Sequence, residues 1–512
     1  MRMRKSSSRV DLHVFSTSPD SAMLDHLFQP LADLLGIPLD QARYVLLMLI
    51  NVPVAMSYRY FLHPSRTSLV TRHIVSTSLG LLLCLLCFNL DVLFLIGIVA
   101  SSYALLHLFP PQVVQKYTMV WVLGTLSICH IYRTMTDYGG YHLDFSGPMM
   151  ILAQKLTIVG FAVHDGKGGN PRQLSKDQEE QKLTSIPSLL EYFSYNFNFH
   201  SILIGPGYTI REHLAFMDGS NLTPLDNPNQ FARAKEHSKE PSTLIPVAKK
   251  SLLSLIYMAA YLYLGNYPHR TLLDESFNMP YRLLMVLVVG MRLKLGFHFI
   301  WTLSDCVNNA AGLGFSGYDA HGNAVWDLTT NLDFLRFEFA MNPRIIANEW
   351  NITTARWLRR VSYDRITWQR AHLTFLLSAF WHGFYPSYYL GLIYLGFLNE
   401  TAKKMWRLLN PFFTSNGWAL RWTYHLVTWF LSHIFANFGS LAVQLHWLQD
   451  VFIYWKTLYF VPLVTCVIIT VFLPPGRSSR QSSKAVGEGR KGGEVATGNE
   501  NHPKEAKSMK QD

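Results

Sequence analysis

Cysteine is scarce: the 512-residue chain has Cys84, Cys87, Cys129, Cys306 and Cys466, almost all inside apolar runs, where a thiol behaves as a small hydrophobe. Cys84 and Cys87 have the spacing of a redox or metal pair, but they sit in continuous leucine with no further ligands, so no metal site is expected. No H-E-x-x-H occurs, and His130, His142, His164, His425, His433 and His446 have no ligand partner at a familiar spacing. A G-x-S-x-G elbow, a P-loop and a Rossmann glycine fingerprint are all missing, which sets aside the chemistries built on them. Despite a formal net charge of +11 there is no compact basic domain with interleaved aromatics, so no nucleic acid is expected as a partner. The charge suits loops retained beside a membrane and anionic headgroups of membrane lipids. Internal repeats are absent too, which weakens a transporter reading. The start, Met1-Arg2-Met3-Arg4-Lys5, turns polar without an apolar core and small-residue cleavage site. It does not read as a cleaved signal peptide, and an internal span is expected to direct insertion, as in delivery to the endoplasmic reticulum.

What the chain does have is long apolar runs, clearest at 74–90, 92–108, 117–131, 253–264, 283–293, 373–395, 426–445 and 457–473. Several are shorter than the roughly 20 residues of a simple span, so some are expected to be buried, re-entrant or polar-interrupted helices. The fold class expected is an all-α polytopic membrane protein. Its divisions are a flexible N-terminus 1–26, a polytopic domain 27–474 and a disordered tail 475–512 with a mild basic excess that suits the cytosolic face. Residues 27–35 read as a short amphipathic helix ended by Gly36 and Pro38. The run 74–109 would overrun the bilayer as one helix and is expected as two, joined near Asn89 and Asp91. Segment 144–163 carries Asp144, Ser146, Gln154 and Lys155, which should face protein or a water-filled cavity. Hydrophilic stretches 163–184 and 218–246 read as surface loops, and 186–208, broken at Gly205-Pro206-Gly207, as a loop at the interface.

Charged residues and tryptophans mix most densely over 334–368, as expected of short helices in the headgroup layer with arginines upward. Next comes an apolar segment holding His382 between Trp381 and Gly383. An ionisable group at membrane depth marks a functional site by default. On the residues alone His382 can be a catalytic base, a hydrogen-bonded packing residue or part of a proton pathway. Histidine suits the first role because its proton affinity lies near neutrality, and an alcohol becomes a good nucleophile only when a base takes its proton.

Three blocks carry a resemblance. They are Asp144-Phe145-Ser146-Gly147 with Lys155-Leu156-Thr157, then Pro187-Ser188-Leu189-Leu190-Glu191-Tyr192 and Gly205-Pro206; Trp350-Asn351 with Thr354, Trp357-Leu358-Arg359 and Tyr363; and Ser378-Ala379-Phe380-Trp381-His382-Gly383 with Pro386 and Tyr388-Tyr389. In this order they are similar to the membrane-bound O-acyltransferases, and within them to the broad-specificity lysophospholipid acyltransferases of fungi. Ser387 departs from the glycine usual before the tyrosines. The resemblance implies about 9–12 transmembrane or re-entrant helices around an intramembrane catalytic chamber. It implies no bound cofactor: a long-chain acyl-CoA is the co-substrate, and the acceptor is the free hydroxyl, expected at sn-2, of a lysophospholipid. Lysophosphatidylcholine, lysophosphatidylethanolamine, lysophosphatidylserine and lysophosphatidic acid are all candidates. His382 and Asn351 fall on the family's catalytic positions, and Trp350, Trp381, Glu191, Tyr192, Asp144, Ser378 and Tyr388 are expected to bind substrate or line the chamber. An acyl tunnel is expected along 198–208 and 373–389. The rival acceptors are a sterol, diacylglycerol or a protein. Asn351-Ile352-Thr353 also matches a glycosylation sequon, read here as chance because a sugar on Asn351 would block that role.

Overall fold

The structure, a computed structural model, describes residues 21–140, 143–169, 174–222 and 240–473. The N-terminus up to residue 20 and the tail 475–512 lie outside the described residues. Among the described residues the regular structure is helical apart from one antiparallel pair of two-residue strands, Gly317–Tyr318 and Ala324–Val325. A helix satisfies its own backbone in lipid, so apolar runs of this length fold as the expected all-α polytopic bundle. Among the described residues six stretches are long and apolar enough to cross a membrane: Leu39–Phe61, Leu69–Leu108, Ser146–Lys167, Leu244–Asn266, Met279–Ala311 and Trp418–Gln444. The pair Leu448–Thr457 and Val461–Phe472, bent by 85°, raises the number to seven if it is one span. Two further long helices carry charge: Val114–Thr136 has Lys116 in its first turn and Arg133 in its last, and Pro386–Ser415 has Glu400, Lys403 and Lys404 along its length. Large apolar side chains such as Leu82, Leu93, Val120, Ile128, Leu252, Ile256, Leu426 and Ile468 are exposed, a surface suited to lipid rather than water.

The run 74–109 divides where its polar residues predict, into Leu69–Phe88 and Val92–Leu108 around a 3-10 turn at Asn89–Asp91. Gly80 on the first of these permits close packing, because a Cβ there would run into the Phe197 carbonyl oxygen. Ser146–Lys167 is the most enclosed of the spanning stretches. Its polar residues face protein, as expected: Lys155 Nζ donates to Tyr195 O and Ser201 Oγ at 2.9 Å each, and Gln154 Nε2 donates to Thr354 Oγ1 at 2.9 Å.

Four expectations need correction. The first helix spans Ser21–Leu35, opening before residue 27. Gly205-Pro206-Gly207 is not an interface loop: residues 197–203 are buried, and so are Gly205, Pro206 and Tyr208. The backbone freed there is satisfied from within, with Gly205 N donating to Ser201 O at 2.8 Å and Asn51 Nδ2 to Phe199 O at 2.8 Å. The hydrophilic segment 163–184 is only partly a loop, since one helix continues to Lys167 and a second, Lys176–Gln181, is closed by a Ser175 capping box. Its acids then turn two arginines inward instead of toward headgroups. Arg360 pairs with Asp177 at 2.7 Å through both Nε and Nη2, and Arg365 pairs with Asp165 at 2.9 and 2.6 Å.

The second pair carries a prediction, because the Asp165 side chain is only 4% exposed. Arg365→Met strands a buried carboxylate and should cost about 3 kcal/mol. Unfolding of the purified protein in detergent would show this as a lower melting temperature, largely restored in Arg365→Met with Asp165→Leu; an unshifted single variant would mean that the pair contributes nothing.

Candidate active site

The apolar run 373–395 does not form one helix. It breaks directly after His382, into Arg370–His382 and Pro386–Ser415. Gly383 has φ +127°, a conformation that L side chains rarely adopt, and Pro386 opens the next helix at a position where its missing N–H costs nothing. His382 therefore projects from a helix end. Its ring lies 4.7 Å from the Trp381 ring and 6.1 Å from Tyr388 between centroids, and no hydrogen bond to a described residue engages either nitrogen. Trp381 is anchored by Nε1 on Met150 O at 3.0 Å.

Asn351 comes from a different element. It precedes the helix Ile352–Leu358 in the left-handed conformation, φ 49° and ψ 52°, which asparagine tolerates better than most residues. Its Oδ1 accepts from Asn331 Nδ2 at 3.0 Å. Trp350 beside it is held among Phe297, Trp301 and Phe337 with centroids 5.1 to 5.4 Å apart. The segment docks onto the central helix through Trp357 Nε1, which donates to Thr157 Oγ1 at 2.9 Å. A half-buried amide already bonded to Asn331 is no place for a glycan.

One cavity of about 610 Å³ takes in both residues. Its volume falls within the usual range of ligand sites. Of the residues singled out from sequence, His382, Asn351, Trp350, Trp381, Asp144 and Tyr388 line it. The expected tunnel segments contribute Leu203, Ile204, Pro206 and Gly207 from one side and residues 381–385 from the other. Tyr44, Phe88, Phe299 and Ile300 complete much of the apolar wall.

Glu191, Tyr192 and Ser378 do not line this cavity. Glu191 closes the capping box of the helix Leu189–Asn196, its carboxylate accepting from Ser188 N at 2.7 Å and Ser188 Oγ at 2.7 Å. Tyr192 is fully buried in the core against Tyr103, with ring centroids 5.0 Å apart. Ser378 is buried one turn before His382, short of the wall. Ser387, the departure from the usual glycine, is buried with no partner for its Oγ among the described residues.

Sequence reasoning missed His130, Arg133 and His446, which line the same cavity. His130 Nε2 donates to Trp381 O at 3.0 Å; since a carbonyl only accepts, that nitrogen carries the proton. Arg133 Nη1 donates to Ser146 Oγ at 3.1 Å and lies 3.3 Å from Asp144 Oδ1, while Tyr388 Oη and His446 Nε2 are 3.3 Å apart. The signal for the first two was present: ionisable residues three apart in an apolar helix share a face, and at membrane depth that face must meet protein or a cavity. Among the described residues no group of three His, Cys, Asp or Glu side chains is placed to hold a metal.

The site is thus a bundle-enclosed, mostly apolar chamber with a histidine and an asparagine amide on its wall. Known proteins are similar to this chain in sequence. The chain is 34% identical over 462 residues to membrane-bound glycerophospholipid O-acyltransferase 1 of Mus musculus, covering 88% of this chain and 94% of that one. It is 35% identical over 452 residues to the Homo sapiens protein of the same name, covering 87% and 91%, and 26% identical over 474 residues to the lysophospholipid acyltransferase of Schizosaccharomyces pombe, covering 89% and 91%. The model of the membrane-bound O-acyltransferase family matches residues 74–443, a span that contains both His382 and Asn351. This multi-pass membrane protein is an acyltransferase and belongs to the membrane-bound O-acyltransferase family.

Proposed function

We propose that the protein transfers a long-chain acyl group from acyl-CoA to the free sn-2 hydroxyl of a lysophospholipid in the endoplasmic reticulum membrane, with its C-terminal tail in the cytosol. The observation that carries this reading is the meeting of His382 and Asn351 on one apolar-walled cavity, although 31 positions and a helix break separate them in the chain. The relatives' names, glycerophospholipid O-acyltransferase and lysophospholipid acyltransferase, support the acceptor class.

His382 takes the proton of the acceptor hydroxyl as its oxygen attacks the thioester carbonyl carbon. The carbon–sulfur bond then breaks, and the CoA thiolate leaves and recovers the proton from His382. A thioester is already activated, so one base and alignment in a dry chamber suffice. Positioned acid–base catalysis contributes about 10²–10⁴-fold and orientation adds more. The apolar wall receives the acyl chains. Arg133, Asp144 and His446 bring charge and hydrogen-bonding groups to the same cavity, where a phosphate-bearing headgroup needs them.

Membranes containing the protein, given labelled oleoyl-CoA, should label lysophospholipids and leave sterol, diacylglycerol and peptide acceptors unlabelled. A panel of lysophosphatidylcholine, lysophosphatidylethanolamine, lysophosphatidylserine and lysophosphatidic acid would rank the headgroups. Label in one of the other acceptors instead would move the protein to another branch of its family.

A further inference from the structure

The direction in which Asn351 faces is set by another residue, Asn331. The backbone N–H of Thr353 donates to Asn331 Oδ1 at 2.9 Å, and Thr353 Oγ1 donates to the same oxygen at 2.8 Å. A backbone N–H has only a proton to offer, so this end of the Asn331 amide must be its oxygen. The opposite end is then the NH₂, and it meets Asn351 at 3.0 Å. What it meets must be an acceptor, so Asn351 turns its oxygen to Asn331. The usual ambiguity between oxygen and nitrogen in an asparagine side chain is removed here by a chain of donors that begins at the backbone.

Asn331 is itself held rigidly. It is 4% exposed, its carbonyl accepts from Ile352 N at 3.0 Å, and its neighbours Leu332 and Trp350 are bridged. The two residues before it are tied to one buried carboxylate: Thr329 Oγ1 and Thr330 Oγ1 each donate to Asp305 at 2.7 Å. Lys250 Nζ neutralises Asp305 and also reaches Trp326 O at 2.8 Å. The loop from Trp326 to Asn331 is thus clamped at both ends.

With the oxygen of Asn351 turned to Asn331, the opposite end of its amide is the NH₂, which can only donate. We propose that Asn331 is a positioning residue that locks Asn351 with its N–H groups toward the reacting centre, so that Asn351 donates to the thioester carbonyl oxygen and the oxyanion it becomes. Accepting the hydroxyl proton is left to His382 alone. This inference rests on the reading that Asn351 and His382 serve one acyl transfer.

Asn331→Asp is the informative variant. Its carboxylate still accepts from Thr353 but cannot donate, so Asn351 is free to turn its NH₂ toward the new oxygen and present its own oxygen to the cavity. With the full-length protein, oleoyl-CoA and the preferred lysophospholipid, kcat should fall about 10²-fold, the scale of one lost oxyanion donor, with KM for oleoyl-CoA within about threefold. Added to Asn351→Ala, the same change should lower the rate no further, because the two act through one amide. The deficit relative to wild type should also shrink as the assay pH is lowered, since a protonated carboxyl donates again. A kcat within about twofold of wild type, or a loss that adds to that of Asn351→Ala, overturns the proposal. Should Asn331→Asp fail to accumulate, Asn351→Asp carries the test: it keeps the bond from Asn331, offers the cavity no donor and should be as inactive as Asn351→Ala. Retention of more than about a tenth of the wild-type rate in Asn351→Asp overturns the donor assignment. A near-normal rate in Asn351→Ala would instead remove Asn351 from the reaction and sink the underlying reading, an outcome that no result at Asn331 alone can mimic.

Discussion

Replacing His382 with alanine abolishes acyl transfer and leaves the amount of protein in the membrane largely unchanged. The two halves of this expectation have separate causes. Loss of rate follows from chemistry: the cavity wall then lacks its base, and positioned acid–base catalysis alone is worth about 10²–10⁴-fold. Survival of the fold follows from packing. His382 is half-buried, borders the cavity and makes no hydrogen bond to a described residue, so its removal enlarges a space that is already there. Trp381, by contrast, is 4% exposed and donates to Met150 O, and it belongs to the core on its own account. Labelled oleoyl-CoA transfer in membranes, read beside a blot of the variant, checks both halves. If the protein disappears with the activity, His382 is a packing residue. If the protein remains and half the rate survives, His382 is not the base.

Much of this architecture is legible in the chain because lipid imposes few options. Apolar runs became helices, and the break near Asn89 and Asp91 followed from bilayer thickness. The polar residues of 144–163 turned inward because lipid offers Gln154 and Lys155 no partners. His382 and Asn351 were legible as motif positions. That they share a chamber follows from the resemblance but not from spacing along the chain, since the meeting depends on how Trp357 docks onto Thr157 and how the chain turns at Gly383. Glu191 is the opposite case. A carboxylate beside aromatic residues in a motif reads as a ligand contact, yet Ser188 three residues earlier is a capping-box signature, and local geometry uses the carboxylate there. Arg360 and Arg365 were misread for a related reason. Their counter-charges, Asp177 and Asp165, lie almost two hundred residues upstream, beyond what spacing along the chain can reveal.

Gly383→Ala should cost nearly as much activity as the loss of His382 itself, although it touches no reacting group. With φ +127° and ψ −164°, Gly383 occupies a region essentially closed to other residues, and holding alanine there costs on the order of 1–3 kcal/mol. Space is short as well: a Cβ would lie 3.3 Å from Cγ and Nδ1 of His130 and 3.6 Å from Tyr388. The chain can relieve the strain only by rotating the end of the helix Arg370–His382, and His382 is its last residue. A displacement of the base by about 1 Å is enough to cost about 10²-fold in rate. The expected result is therefore a protein that still accumulates, still binds oleoyl-CoA with a KM close to wild type, and turns over at least about a hundredfold more slowly. Combining Gly383→Ala with His130→Ala separates the two causes. The second change removes the crowding and leaves the dihedral strain, so a double variant as active as His130→Ala alone would assign the defect to His130, and one still far below it would assign the defect to the backbone. Full activity in Gly383→Ala would mean that His382 is aligned by something other than the turn that follows it.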